Sequence, residues 1–419
     1  MASRVVGGAG TEIPPRDTTG TQAVRLRELV VKSIKHNTKQ YTMFLALIAI
    51  WVIFAFLTDS VFLTARNLSN LFVQTVTTAI LAIGMVLIIV AGHIDLSVGS
   101  VLGFTGAVCA MCMIKLEWGV APSVLATAAM GLAIGAWHGF WVAYRKVPAF
   151  IVSLASMLAF RGLIIGITGG QTQGLEMAPE EAASAFKLIG QGYLPTIRAA
   201  EEGQLHDTSL YFSIAVILIF VVTRLRRRAA RVKYGFSVPP MYLEILGLAL
   251  TSALIAAFAL LMVVYLGIPW SVIFVLVLAV LFSFIANNTT FGRHLYAIGG
   301  NPDAARLSGI NVKRNTFGLF MLMGVMTALA GIVYTSRLNA ATTSAGQNAE
   351  LDAIAAAVIG GTSLMGGEGT IYGAIIGALV MTSLDNGMSL MNLDITFQYV
   401  IKGLILLLAV WVDMAQRKK

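Results

Sequence analysis

The side chains able to do chemistry in this sequence are few, and most of them interrupt apolar stretches. Asp95 and Ser97 lie in Gly92-His-Ile-Asp-Leu-Ser-Val-Gly-Ser100, and Arg161 sits in the middle of the run 150–168. Asp385, Asn386 and Asn392 fall near the end of the run 370–391, and Gln74, Thr77 and Thr78 share the run 71–91. An ionisable group at membrane depth is costly, about 2.5–3.5 kcal/mol at a helix centre on insertion scales, and marks an ion or solute path by default. Asp95 has a second reading as a plain N-cap that accepts from the amide of Val98 or a neighbour. Arg161 requires a partner or water, which Asp385 or Asp394 supplies if their helices meet. The amides and hydroxyls either line a path or bond other helices. Other chemistries lack their residues. Cys109 and Cys112 form a lone C-x-x-C in an apolar stretch, and the five His are scattered at 36, 93, 138, 206 and 294. Neither pattern makes a metal or redox site. No Gly-Lys pair exists, so there is no phosphate-binding loop, and no H-E-x-x-H occurs.

The elements that carry these residues are membrane helices. Of 419 residues, 57 % are apolar and 12 % charged, about half the charge a soluble chain uses to cover its surface. Apolar runs occupy residues 41–57, 71–91, 98–114, 118–141, 150–168, 209–223, 241–266, 269–286, 316–336, 353–365, 370–391 and 396–413. A spanning helix needs about 20 residues, so 353–365 is expected as a half-helix or re-entrant piece. The fold class is therefore an all-α polytopic bundle of ten to twelve spans. Lys and Arg fix its expected orientation. Twenty-two fall in segments that share one side with the N-terminus, against five on the other, which places both termini in the cytoplasm. The net charge of +9 is thus an orientation signal and not a nucleic-acid footprint. The expected organisation is a basic cytoplasmic segment 1–40, a membrane domain 41–413 with a long outer loop 169–208 and an inner loop 287–315, and a tail 414–419.

The inner loop spells a short helix with both ends marked. Asn301 suits the N-cap, Pro302 the first helical position and Asp303 the positive end of the dipole. Ala304, Ala305 and Arg306 continue the helix, and Gly309 stops it. So short a helix is unstable alone in water. It is either a surface connector or a peg that docks onto another protein. Gly99-Ser-Val-Leu-Gly103 and Gly369-Thr-Ile-Tyr-Gly373, with Gly377 beyond, share a spacing that permits close helix packing. Alternatively, these broken helices line a pathway, because irregular backbone in a membrane must face protein or water.

Asp303-Ala304-Ala305-x-x-x-Gly309 resembles the E-A-A-x-x-x-G loop of binding-protein-dependent ATP-binding-cassette importer permeases, with Asp in place of Glu. The blocks 92–100, 292–310 and 360–370, in order along the chain, resemble the monosaccharide permeases of that class. The loop stretch Gly190-Gln-Gly-Tyr-Leu-Pro195 and the basic stretch 224–233 are most similar to the xylose or multiple-sugar branch. The resemblance implies a permease of the bacterial inner membrane, paired as a homodimer. It implies cytoplasmic ATPase subunits at Asn301–Gly309 and a periplasmic sugar-binding protein on the outer face. ATP and Mg²⁺ are then used by the partner, with no cofactor bound by this chain. The loop 169–208 and the segment 337–350 are expected to receive the binding protein, and the buried polar residues to meet sugar hydroxyls. The competing expectation is a single-chain transporter driven by H⁺ or Na⁺ through Asp95 or Arg161 with Asp385.

Overall fold

A computed structural model describes residues 38–197, 205–236, 238 and 240–417. The chain divides into two units, Met1–Thr42 and Met43–Lys419, and the first is represented among the described residues only by the start of a helix. Most of the basic segment 1–40 therefore lies outside the described residues, as do Arg198, Glu201 and Glu202 of the outer loop and Lys418 and Lys419 of the tail.

The long helices are α1 (Thr38–Leu57), α2 (Ala65–Val90), α3 (Val98–Lys115), α4 (Val120–Gly139) and α5 (Ala149–Thr168). After a short amphipathic helix α6 (Glu180–Gln191) come α7 (Asp207–Lys233), α8 (Met241–Val264) and α9 (Trp270–Asn288). Two short helices, α10 (Thr290–Gly300) and α11 (Pro302–Leu307), lead into α12 (Val312–Leu338). The chain closes with α13 (Ala349–Ile359), α14 (Ile371–Leu390) and α15 (Ile395–Arg417). Among the described residues nine helices are long and apolar enough to cross a membrane, with shorter apolar stretches at Met43–Leu57 in α1 and Ile395–Trp411 in α15. The protein is a polytopic helical membrane bundle. At 11 residues α13 is too short to span.

The centre of the bundle is α2, most of which is buried. A helix apolar all round belongs in the interior. It packs against α12 on one side and against α13 and α14 on the other. The α7–α8 hairpin is peripheral, and little of α7 is buried. Here the structure extends the expected span. The helix does not end at residue 223 but continues through the basic stretch, because Arg and Lys are good helix formers and no glycine or proline intervenes.

The tightest pairing is α4 against α12. Gly131, Gly135 and Gly139 form a one-residue-wide track along α4, and each faces backbone of α12. A Cβ on Gly131 would lie 2.5 Å from the Gly324 carbonyl oxygen, and one on Gly139 would lie 2.9 Å from that of Phe317. Gly106 of α3 meets Gly331 of α12 in the same way. With side chains removed, backbones of adjacent membrane helices come into direct van der Waals contact.

The loop 169–208 is built down onto the C-terminal end of α12. Strand β1 (Gln173–Gly174) pairs antiparallel with β2 (Ala340–Ala341). Phe186 of α6 is fully buried, and the Ser336 hydroxyl donates to the Phe186 carbonyl at 2.6 Å while accepting from the Gly190 amide at 2.8 Å. The outward face of α6 keeps Glu180, Glu181 and Leu188 exposed.

Candidate functional site

Asn301 caps α11 through its side-chain oxygen, which accepts from the Ala304 amide at 2.9 Å. The far end closes as a Schellman turn: Ile310 N–H donates to the Ala305 carbonyl and Gly309 N–H to that of Arg306. Gly309 has φ +86°, a conformation glycine adopts without cost. Pro302, Asp303, Ala304 and Arg306 are exposed, whereas Ala305 is buried against its own chain. Leu307, which the sequence reading passed over, is 85 % exposed. A capped helix holding an aliphatic side chain in the open presents a knob to something outside the chain.

The base of this helix is joined to the bundle by backbone. Gly299 of α10 abuts the Val90 carbonyl at the end of α2, where no Cβ fits. That same carbonyl accepts from the Gly367 amide at 2.8 Å. Gly366 and Gly367 pack on Gly299 and Gly300, so α2, α10 and the 360–370 connection meet at one point. The Tyr296 hydroxyl donates to the Gly369 carbonyl at 2.7 Å, and burial pushes this phenol above its ordinary range. Tyr296→Phe is expected to leave that carbonyl without this donor and cost about 1 kcal/mol, read as a lower thermal midpoint with α11 still folded.

Asp95 is buried, and its Oδ1 accepts from the Ser97 amide at 2.9 Å and the Ser97 hydroxyl at 2.6 Å. These bonds hold a tight turn just ahead of α3, whose N-cap is Ser97 and has no side-chain cap bond, so Asp95 fixes the approach to the helix and does not cap it as expected. Gly99 and Gly103 lie against Gly346 and Ala345. Gly369 packs on Val90 and Thr362, Gly373 on Gly360, and Gly377 on Ala356, so all five glycines make close packing contacts.

Arg161 does not meet Asp385 or Asp394. Its helix, α5, packs mainly on α3, and Nη1 donates to the Ala345 carbonyl at 2.7 Å, with the Glu350 carboxylate nearby. Glu350 is buried, and its Oε2 has no hydrogen-bond partner. The segment 337–350 is therefore not an open outer surface throughout, because Ala345, Gly346 and Glu350 are buried under α3 and α5. Asp394 lies exposed between α14 and α15, where the hydroxyl and amide of Thr396 hold its carboxyl below the usual range.

Asp385 belongs to a different cluster. Lys402 of α15 lies 2.9 Å from Asp385 of α14 and 2.9 Å from Asp352 of α13. Two carboxylates thus share one ammonium beside a cavity of about 90 Å³ lined by Asn348, Asp352, Met381, Tyr399 and Lys402. Asn386 exchanges hydrogen bonds with Asn67 of α2 at 2.8 and 3.1 Å and so ties two helices together. Asn392 follows α14 with φ +56° and ends it. Gln74 is half-buried on α2. The sequence pairs neither Glu350 with Arg161 nor Asp352 and Lys402 with Asp385; only a charge among apolar neighbours signals each of them.

A family model described as "Branched-chain amino acid transport system / permease component" matches residues 67–410, a span that holds every cluster above. The chain is 46 % identical over 383 residues to the xylose transport system permease protein of Escherichia coli K12, covering 91 % of this chain and 93 % of that one. Identity to the Haemophilus influenzae protein of the same description is 45 %, over 91 % of this chain and 98 % of that one. Identity to the ribose import permease protein of Escherichia coli K12 is 34 % over 393 residues, or 94 % and 98 % of the two chains. No solved structure matches. The chain belongs to this permease family and, within it, to the membrane subunits of ATP-binding-cassette sugar importers.

Proposed function

We propose that the chain carries a pentose such as xylose across the bacterial inner membrane, with both termini cytoplasmic and two copies enclosing the path. The higher identity to the xylose than to the ribose relatives supports the sugar. The distribution of Lys and Arg supports the orientation. A second copy is supported by α5, which buries one side on α3 and leaves Gly162 and Gly166 with nothing within 4 Å. A periplasmic binding protein would meet the face of α6 that carries Glu180 and Glu181, and Arg161, Glu350, Asp352, Asp385 and Lys402 would supply hydrogen bonds to sugar hydroxyls. ATP and Mg²⁺ belong to the partner ATPase.

The observation that carries this reading is Leu307, held in the open on a capped helix whose base is locked to α2 and the 360–370 connection. A push on that knob reaches the bundle through backbone contacts that cannot compress. Leu307→Glu is expected to lower ATP-driven sugar uptake in proteoliposomes several-fold and to weaken ATPase co-purification, with the thermal midpoint unchanged. A substitution at Ala305 instead reads folding, because that side chain is buried. Uptake and co-purification both unaffected by Leu307→Glu would overturn the coupling role.

A further inference from the structure

We propose that the basic end of α7 is a binding site for the phosphates of anionic phospholipid headgroups. It stands whatever solute the bundle carries. At 27 residues α7 is about 40 Å long, the thickness of a bilayer with its headgroups. Its apolar part gives way at Arg224, and Arg224, Arg226, Arg227, Arg228, Arg231 and Lys233 follow within the same helix. These side chains therefore lie at headgroup depth.

The six cations are not equivalent. Helical geometry puts Arg224 and Arg228 on one side, where Glu244 of α8 accepts from Arg224 Nε at 2.9 Å and from Arg228 Nη1 at 3.4 Å. One carboxylate thus serves two guanidinium groups. Arg226 and Lys233, seven residues apart, project on the opposite side, away from Glu244, whereas Arg231 lies close to the Arg224 side and Arg227 between the two. All four are exposed, and among the described residues no acidic side chain pairs with any of them. Retention of positive charge on one side of a membrane accounts for the sign of these residues. It does not account for four of them left unpaired on one helical extension.

Two further features point to lipid as the source of the missing negative charge. The α7–α8 hairpin is the periphery of the bundle, with most of its surface turned outward. Tyr234, Phe236 and Tyr242 stand exposed at the same end of the hairpin, the residue types that seat at a membrane–water interface. Basic clusters at the foot of a spanning helix attract anionic lipids, each Lys or Arg adding to the attraction, and Arg pairs well with phosphate.

The test is native mass spectrometry of the full chain released from an equimolar mixture of phosphatidylglycerol, cardiolipin and phosphatidylcholine. The chain is expected to retain the anionic lipids over phosphatidylcholine by roughly fivefold or more, the ratio that one basic side chain's attraction to an anionic surface gives. R226Q/R227Q/R231Q/K233Q is expected to lose that preference, and R226K/R227K/R231K to keep it. If the quadruple variant fails to fold, R226Q/K233Q alters only the side away from α8 and is expected to lower the preference. Preference unchanged in the Gln variants overturns the proposal. So does its absence from the wild-type chain, and so does loss of ATPase co-purification with lipid retention intact.

Discussion

Gly135→Ala is expected to destabilise the protein by on the order of 1–3 kcal/mol, the usual cost of forcing an added methyl into a filled site. Gly131→Ala/Gly135→Ala is expected to yield no monodisperse protein in detergent. The added Cβ at 135 meets the Phe320 carbonyl oxygen and lies 2.7 Å from the Met321 Cα; at 131 it lies 2.5 Å from the Ala328 Cβ. These neighbours are backbone or the first side-chain atom, and none can rotate away. The helices must separate instead, which opens the α4–α12 contact along its length and takes α2, packed on α12, with it. The same methyl at Gly247 of α8 is the control. Its nearest neighbour is the Arg224 Nη2, 3.7 Å away at the end of a flexible side chain. Gly247→Ala is expected to be neutral or to stabilise by up to about 1 kcal/mol, because Ala restricts the helix backbone less expensively than Gly. Thermal midpoints followed by size-exclusion profile check both. Equal effects at 135 and 247 would mean that helix propensity, and not interhelical contact, governs these glycines.

What the sequence disclosed divides by the range of the interaction. The bounds of α11 and its cap were legible because capping is local: Asn301, Pro302 and Gly309 act within two turns of chain. The apolar runs were legible because burial in a bilayer requires continuous length. The direction in which Ala305 and Leu307 point was not, since that depends on how α10 and α12 seat the helix. Charge partners were illegible for the same reason. Arg161 and Ala345 are separated by 184 residues in sequence, and nothing near either one specifies the other. The glycine track at 131, 135 and 139 is a different case. Its strict spacing of four was present in the sequence, but it lay inside a run that hydropathy alone explained. The glycines at polar breaks stand out against their surroundings in the sequence, and they too are contact points.

Lys402→Met is expected to lower the thermal midpoint strongly, and the reason lies in the ratio of charges. Asp352 and Asp385 both reach the one ammonium at 2.9 Å, so its removal leaves two carboxylates facing each other among α13, α14 and α15. Breaking a buried pair by deleting one partner costs about 3–5 kcal/mol. The side chains of Lys402 and Asp352 are 17 % and 18 % exposed and that of Asp385 is 35 % exposed, so water at Asp385 holds the loss toward the lower figure. The sign of the second-site effects separates charge from packing. Adding Asp352→Asn and Asp385→Asn to Lys402→Met removes both stranded charges, and the triple variant is expected to regain most of the lost thermal midpoint. If Lys402 matters mainly through its aliphatic stem, Met supplies that already, and the single variant will be nearly as stable as the parent. Uptake tells the two roles of the cluster apart. A triple variant that is stable yet inactive assigns these side chains to the sugar path, whereas one that is stable and active leaves them as the tie that holds α15 to the bundle.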